Sequence, residues 1–135
     1  MYSIKDISDK FDIPASTIRY YEEIGLIENV EHRDGYHRVF NEKHVERMSA
    51  IECFKKSGLS LSEIKTFFEY EKNIKENSGV ILEMMKKQEK KTLGKIEELK
   101  VGLANVKRKI KYYSAVDLAI KENREIPKWD DIIKS

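Results

Sequence analysis

A single cysteine, Cys53, stands in a chain of 135 residues. One thiol excludes an intrachain disulfide, a multi-thiolate metal site and an iron–sulfur cluster. Proline occurs twice and glycine six times, so little in the chain would interrupt long helices. No run of eighteen apolar residues exists and no signal-peptide pattern precedes the first polar residues. A soluble cytoplasmic protein without a membrane partner is expected. Low-complexity segments and clear internal repeats are missing too. So is any glycine-rich cradle for phosphate, any close Cys–His spacing and any acid cluster on one face. An enzyme is therefore not expected, and neither is a metal or other cofactor.

What is present is charge. Charged residues make up 37% of the chain against 40% hydrophobic, above the usual quarter, which favours long solvated helices over a compact β fold. The net charge of +2 decides nothing by itself. Its distribution is uneven: residues 1–70 hold ten Lys/Arg and thirteen Asp/Glu, while residues 71–135 hold sixteen and eleven. If the first half binds nucleic acid, it does so with a basic face and not as a basic domain.

Ser3-Ile-Lys-Asp6 is a capping-box-like helix start, with Asp6 in place of the usual Glu. Ile4, Ile7 and Phe11 follow as one apolar stripe. Asp12-Ile13-Pro14 makes a turn, and Pro14 suits the first position of a second helix that ends near Ile24 at Gly25. Two helices and a tight turn within about twenty residues have helix-turn-helix spacing. Asp34-Gly35, between Leu26-Ile27 and Val39-Phe40, signals a small hairpin. Asn41 caps a third helix carrying Val45, Met48, Ile51 and Phe54, ended by Gly58. Ser60-Leu-Ser-Glu63 opens a fourth.

A polar connection is expected over 71–79, followed by a long seam. Positions 82, 85, 89, 92, 96, 99, 103, 106, 110 and 113 alternate steps of three and four, and all but Glu89 and Thr92 are apolar. Leu82, Met85, Ile96, Leu99, Leu103, Val106, Ile110 and Tyr113 form a heptad stripe. A helix over 80–114 would be roughly 50 Å long. A stripe this narrow needs a partner, most simply a second copy. Residues 115–135 form a short tail whose apolar content suggests docking.

The second helix carries two adjacent tyrosines. At about 100° per residue, Ser16, Arg19, Tyr20 and Glu23 share one face and Ile18 and Tyr21 the other. Tyr21 is thus expected in the core. Arg19 and Tyr20 point outward, either simply solvated or as donors to a nucleic-acid backbone or base edge. His32, Arg33, Tyr36, His37 and Arg38 cluster in the hairpin, with Asp34 alone opposing them. Such a loop beside a helix-turn-helix can set cations on phosphates. Glu22, Glu23 and Glu28 fit this only when turned from the DNA, unless Glu23 helps read a base. The three histidines, His32, His37 and His44, are expected to face DNA or solvent rather than a metal.

Thr17-Ile-Arg-Tyr-Tyr-Glu22 followed by Ile24-Gly-Leu-Ile27 resembles the helix-turn-helix signature of MerR-family transcription regulators. The resemblance extends through Arg38-Val-Phe40 and Gly58-Leu-Ser-Leu-Ser-Glu-Ile-Lys65, and covers residues 2 to about 70. It implies a mainly α protein: a winged helix-turn-helix DNA-binding domain over 1–70 with a small β-wing, then a long antiparallel coiled-coil dimerisation helix. It implies a homodimer on a palindromic promoter in double-stranded DNA whose spacer is too long. An effector then changes the DNA's shape so that RNA polymerase can use it. Carried onto this chain, the DNA contacts are Thr17, Arg19 and Tyr20 from the second helix and Arg33, Tyr36, His37 and Arg38 from the wing. Tyr2 and Ser3 stand near a phosphate at the first helix. The chain departs from the family pattern twice. His37 intervenes between Tyr36 and Arg38, and Pro14 replaces a Ser or Thr in the turn.

Ile51-Glu-Cys-Phe54 through Ser60 also resembles the branch of the family that responds to aldehydes and nitrosative stress, where a cysteine stands at this point. Cys53 falls opposite the apolar side of its helix. Lys56 is placed to favour its reactive thiolate and Glu46 to oppose it. Thiol sensing at Cys53 therefore stands beside burial of Cys53 as a small hydrophobe and beside a small-molecule pocket without thiol chemistry. A coiled-coil adaptor that binds no DNA is the remaining class, and the acidic first half is what it uses.

Overall fold

Short helices and one hairpin precede a very long helix. The computed structural model describes residues 1–134. In chain order they form α1 (Ile4–Phe11), α2 (Ala15–Glu23), β1 (Glu31–Arg33), β2 (His37–Val39), α3 (Glu42–Lys56), α4 (Leu61–Glu71), α5 (Ile74–Lys121) and α6 (Trp129–Ile133). Contacts divide the chain into two compact units, one over residues 1–89 and one from residue 90 on.

Local chemistry sets each boundary in the first unit. Ser3 Oγ accepts from the Asp6 N–H while Asp6 accepts from the Ser3 N–H, and Ser60 with Glu63 repeats the arrangement on α4. Such reciprocal caps satisfy helix N–H groups that lack partners within the helix. Pro14 sits one place earlier than expected, at the N-cap of α2, where its φ of −62° leads into the helix without a side-chain bond. Gly25, with φ of +83°, turns the chain at the other end, a conformation that costs other L-residues more. β1 and β2 are antiparallel, with Glu31 opposite Val39, His32 opposite Arg38 and Arg33 opposite His37. Asp34 and Gly35 both have positive φ at the tip, and the Tyr36 N–H donates to the Arg33 carbonyl at 3.2 Å. The N-terminus is pinned to this wing, since Tyr2 and Phe40 exchange backbone bonds of 2.8 Å in both directions.

One core joins these elements. Ile7 of α1, Ile18 and Tyr21 of α2, Leu26, Ile27, Phe40, Met48 and Ile51 of α3, and Ile64 and Phe68 of α4 are buried together. His44 is part of this structure and does not face DNA or solvent as expected. It is buried, and its Nδ1 accepts from the Asn41 N–H at 3.0 Å while Nε2 lies 2.8 Å from the Glu28 carbonyl. Accepting at Nδ1 fixes the neutral tautomer with its proton on Nε2, which donates to Glu28. The ring thus caps α3 and anchors the chain leaving α2.

The expected 71–79 connection is largely helical, and α5 begins at Ile74 and extends past 114 to Lys121. Gly79 interrupts a helix by only about 1 kcal/mol relative to Ala, and Asn77 satisfies itself by donating from Nδ2 to the Tyr70 carbonyl at 3.2 Å. No proline falls between 74 and 121 to end the helix. In the first unit Gln88 is buried, with its Nε2 donating to the Ser57 carbonyl at 2.7 Å. In the second unit the tail folds back on α5. Tyr112 Oη donates to the Pro127 carbonyl at 2.8 Å, and the Tyr112 and Trp129 rings lie 5.1 Å apart.

His44→Ala removes a cap and leaves the Glu28 carbonyl and the Asn41 N–H without their partner. We expect a loss of about 1–3 kcal/mol in urea unfolding at fixed protein concentration. A wild-type midpoint for the variant would show that the ring holds nothing.

Candidate nucleic-acid interface

The second helix divides its side chains as its 100° increment requires. Ile18 and Tyr21 are buried, with Tyr21 at 1% exposure, whereas Arg19 is exposed and Tyr20 is 48% exposed. Burial of Tyr21 brings its hydroxyl to partners on α3. Lys55 Nζ donates to it at 2.7 Å, and Glu52 Oε1 lies 3.4 Å from it. That hydrogen bond raises the Lys55 pKa, against the opposing effect of burial. Lys55 remains a cation, and α2 is held to α3 by a polar bond at the edge of the apolar core.

Seven of the nine residues expected at DNA line one concave surface of about 460 Å³. Arg19 comes from α2, Arg33, Tyr36, His37 and Arg38 from the wing, and Tyr2 and Ser3 from the chain start. Thr17 and Tyr20 lie outside this lining. Tyr20 is exposed on α2, and Thr17 is half-buried in its first turn. His37, not Tyr36, occupies the strand position beside Arg38, while Tyr36 is left in the loop at 87% exposure. Ser3 gives its N–H and its hydroxyl oxygen to the cap of α1. The Tyr2 hydroxyl donates to Glu42, and that carboxylate raises the phenol's pKa. Sequence reasoning missed Met1, whose Sδ accepts from Arg33 Nη2 at 3.5 Å.

The wing arginines are oriented by carboxylates of the same unit. Arg33 Nε donates to Glu31 at 3.0 Å. Arg38 Nε donates to Glu22 Oε1 at 2.6 Å, and the other Glu22 oxygen lies 2.7 Å from His32 Nε2. Glu22 is on α2, whereas His32 and Arg38 face each other across the hairpin. Burial opposes ionisation of Glu22, but the hydrogen bonds from Arg38 and His32, with their charges, outweigh it and lower its pKa from the ordinary 4.5. In each arginine the carboxylate takes Nε, and in Arg33 the Met1 sulfur also takes Nη2, which leaves Nη1 of Arg33 and both Nη groups of Arg38 for a ligand such as phosphate.

Away from this surface, α5 exposes its stripe. Leu82, Ile96, Leu99, Leu103, Val106, Ile110 and Tyr113 are all exposed, Leu99 at 73%, and Met85 is half-buried. Cys53 is exposed on α3. Among the described residues no group of His, Cys, Asp and Glu is arranged to hold a metal, and no helix is long and apolar enough to cross a membrane.

A helix-turn-helix followed by a basic hairpin and a long amphipathic helix defines a winged helix-turn-helix protein of mainly α structure. Residues 2–71 match the MerR HTH family of regulatory proteins. An uncharacterized HTH-type transcriptional regulator of Haemophilus influenzae is 31% identical over 112 residues, 83% of each chain. The regulator AdhR of Bacillus subtilis is 34% identical over 59 residues, 44% of this chain and 42% of its own. Among solved structures, HiNmlR, a MerR-family regulator lacking the sensor domain and crystallised on promoter DNA, matches with a TM-score of 0.77 at 28% identity, over 91% of each chain. The present chain belongs to the MerR family of DNA-binding transcription regulators.

Glu22 also fixes an acid dependence. Its pKa is lowered on folding, so its pairing adds stability that is full above about pH 4.5 and is lost as pH falls through the lower folded value. Thermal unfolding followed from about pH 7 to about pH 3 is expected to show a shallower acid decline in Glu22→Gln than in the wild type. Equal declines would assign the acid sensitivity elsewhere.

Proposed function

We propose that this protein is a homodimeric, effector-responsive regulator that grips a palindromic promoter with two copies of the concave surface. Arg19 and Tyr20 of α2 approach the groove, with Thr17 at the helix start. Arg33, Tyr36, His37 and Arg38 of the wing, with Tyr2 and Ser3, take the flanking phosphates. The observation that carries this reading is the convergence of Arg19 and the wing cations on one surface of an otherwise acidic half. The promoter complex of HiNmlR supports it. Family membership sets aside the adaptor without DNA binding.

The second copy is implied by the α5 stripe. A fully buried Leu or Ile side chain contributes about 1.5–3 kcal/mol, and this helix leaves several in water. Antiparallel pairing of two α5 seams covers them and gives the two-fold symmetry that a palindrome requires. RNA polymerase is the further partner at that promoter, served by a change in DNA shape. Exposure of Cys53 in the single chain favours thiol sensing by a reactive electrophile over burial. A small-molecule site without thiol chemistry is the competing reading.

Binding to a labelled mixed-sequence duplex should weaken steeply with salt, and Arg19→Ala should lower affinity about tenfold or more, equivalent to about 1.4 kcal/mol. Salt-independent or absent binding would end the regulator reading. Leu99→Lys with Leu103→Lys should convert a dimer to monomer in sedimentation, whereas an unchanged mass would remove the seam from the interface. Cys53→Ser is expected to abolish an aldehyde response in a reporter assay, and a full response in the variant would leave the pocket reading.

A further inference from the structure

We propose that Glu22 is a positioning residue for DNA binding, one that locks the wing to the recognition helix. This rests on the reading above, in which α2 and the wing grip DNA together. Glu22 is the one carboxylate of α2 that faces the wing pair, and it holds a cross-strand pair rather than a single side chain. Its two oxygens engage Arg38 on β2 at 2.6 Å and His32 on β1 at 2.7 Å. Both strands are thereby fixed to α2 through one half-buried carboxylate.

The wing needs such a lock. β1 and β2 have three residues each, and β1 is exposed throughout. A two-stranded hairpin is at best marginally stable by itself. Its tip residues, from Arg33 to His37, are exposed, and the Tyr2–Phe40 bridge secures only the far end of β2. Without Glu22, Arg19 would still stand on α2, but its spacing from the wing cations would no longer be set. A two-element grip on a phosphate backbone depends on that spacing.

Electrostatics alone gives the opposite sign. Glu22 is an anion beside a surface read as binding a polyanion, and it occupies one nitrogen of Arg38. If charge were its only effect, neutralising it would strengthen DNA binding. If positioning governs, Glu22→Gln weakens binding because one neutral amide cannot serve both Arg38 and His32 as an ionised carboxylate does.

The test has two arms. Hydrogen exchange on the free protein reads the wing directly: Glu22→Gln should speed exchange at the amides of residues 31–39 while the core of α3 keeps its protection. Titration of a labelled mixed-sequence duplex at several salt concentrations reads the grip. The variant should bind roughly tenfold more weakly, with a salt slope smaller by about one unit per protomer. Arg38→Gln should show the same loss, and the double variant should be no worse than Arg38→Gln alone. Unchanged exchange in the wing overturns the lock whatever the DNA result. Equal or tighter binding by Glu22→Gln, with an unchanged slope, overturns the positioning role. A loosened wing in a protein whose wild type shows no salt-dependent DNA binding overturns the regulator reading and the positioning role with it, leaving the lock as a structural bond.

Discussion

The 100° advance of a helix is the constraint on which the first unit depends. α2 has nine residues, too few to be stable alone. It must bury one face to exist, and it does so with Ile18 and Tyr21 at almost complete burial. The same rotation leaves Arg19 and Tyr20 on the other side with no freedom to turn inward. A rotation that exposed Tyr21 would break the Lys55 hydrogen bond and open the centre of the core. The face that meets solvent is therefore set by the face that does not.

The wing follows from a different balance. Its strands bury little, so apolar packing cannot orient it, and polar contacts take that role. Glu22, His32 and Arg38 join α2 to both strands, while Glu31 and Met1 hold Arg33. An acidic half of the chain thus presents a basic concavity. Two of its carboxylates, Glu22 and Glu31, pair with the basic side chains of the wing and orient them. The negative sum over residues 1–70 and the cationic surface are consistent, because net charge says nothing about direction.

Much of this was legible in the sequence because the signals were local. Ser3, Gly25, Asn41 and Ser60 act over three or four residues, and each marks the boundary it was expected to mark. The split between Tyr20 and Tyr21 needed only the helical period. What escaped was long-range or context-dependent. His44 sits near two other histidines in sequence, but its ring turns inward to Asn41 and Glu28, partners that no spacing rule names. The pairing of Glu22 with Arg38 spans sixteen residues and a turn. The breakers Asn77, Ser78 and Gly79 suggested a connection, and the structure runs a helix through them. Their local penalties are small beside the cooperativity of a 48-residue helix.

The long helix α5 follows a different constraint. Its apolar positions are separated by Lys and Glu that pair along the helix itself, Lys86 with Glu83 and Lys100 with Glu97. Pairs of this kind, exposed on both sides, contribute about 0.2–1 kcal/mol each. They add a little to the stability of α5 without covering its stripe. Apart from half-buried Met85, the stripe is a periodic apolar surface left exposed in the single chain, the condition that favours pairing with another helix. Symmetry then restricts the outcome. In the proposed homodimer, two chains related by a two-fold axis would present two identical concave surfaces. In the homodimer proposed above, the seam residues of α5, and not those assigned to DNA, would decide how the two copies pair. In that proposal, pairing the two copies and contacting phosphate are separate properties, assigned to different residues of the chain.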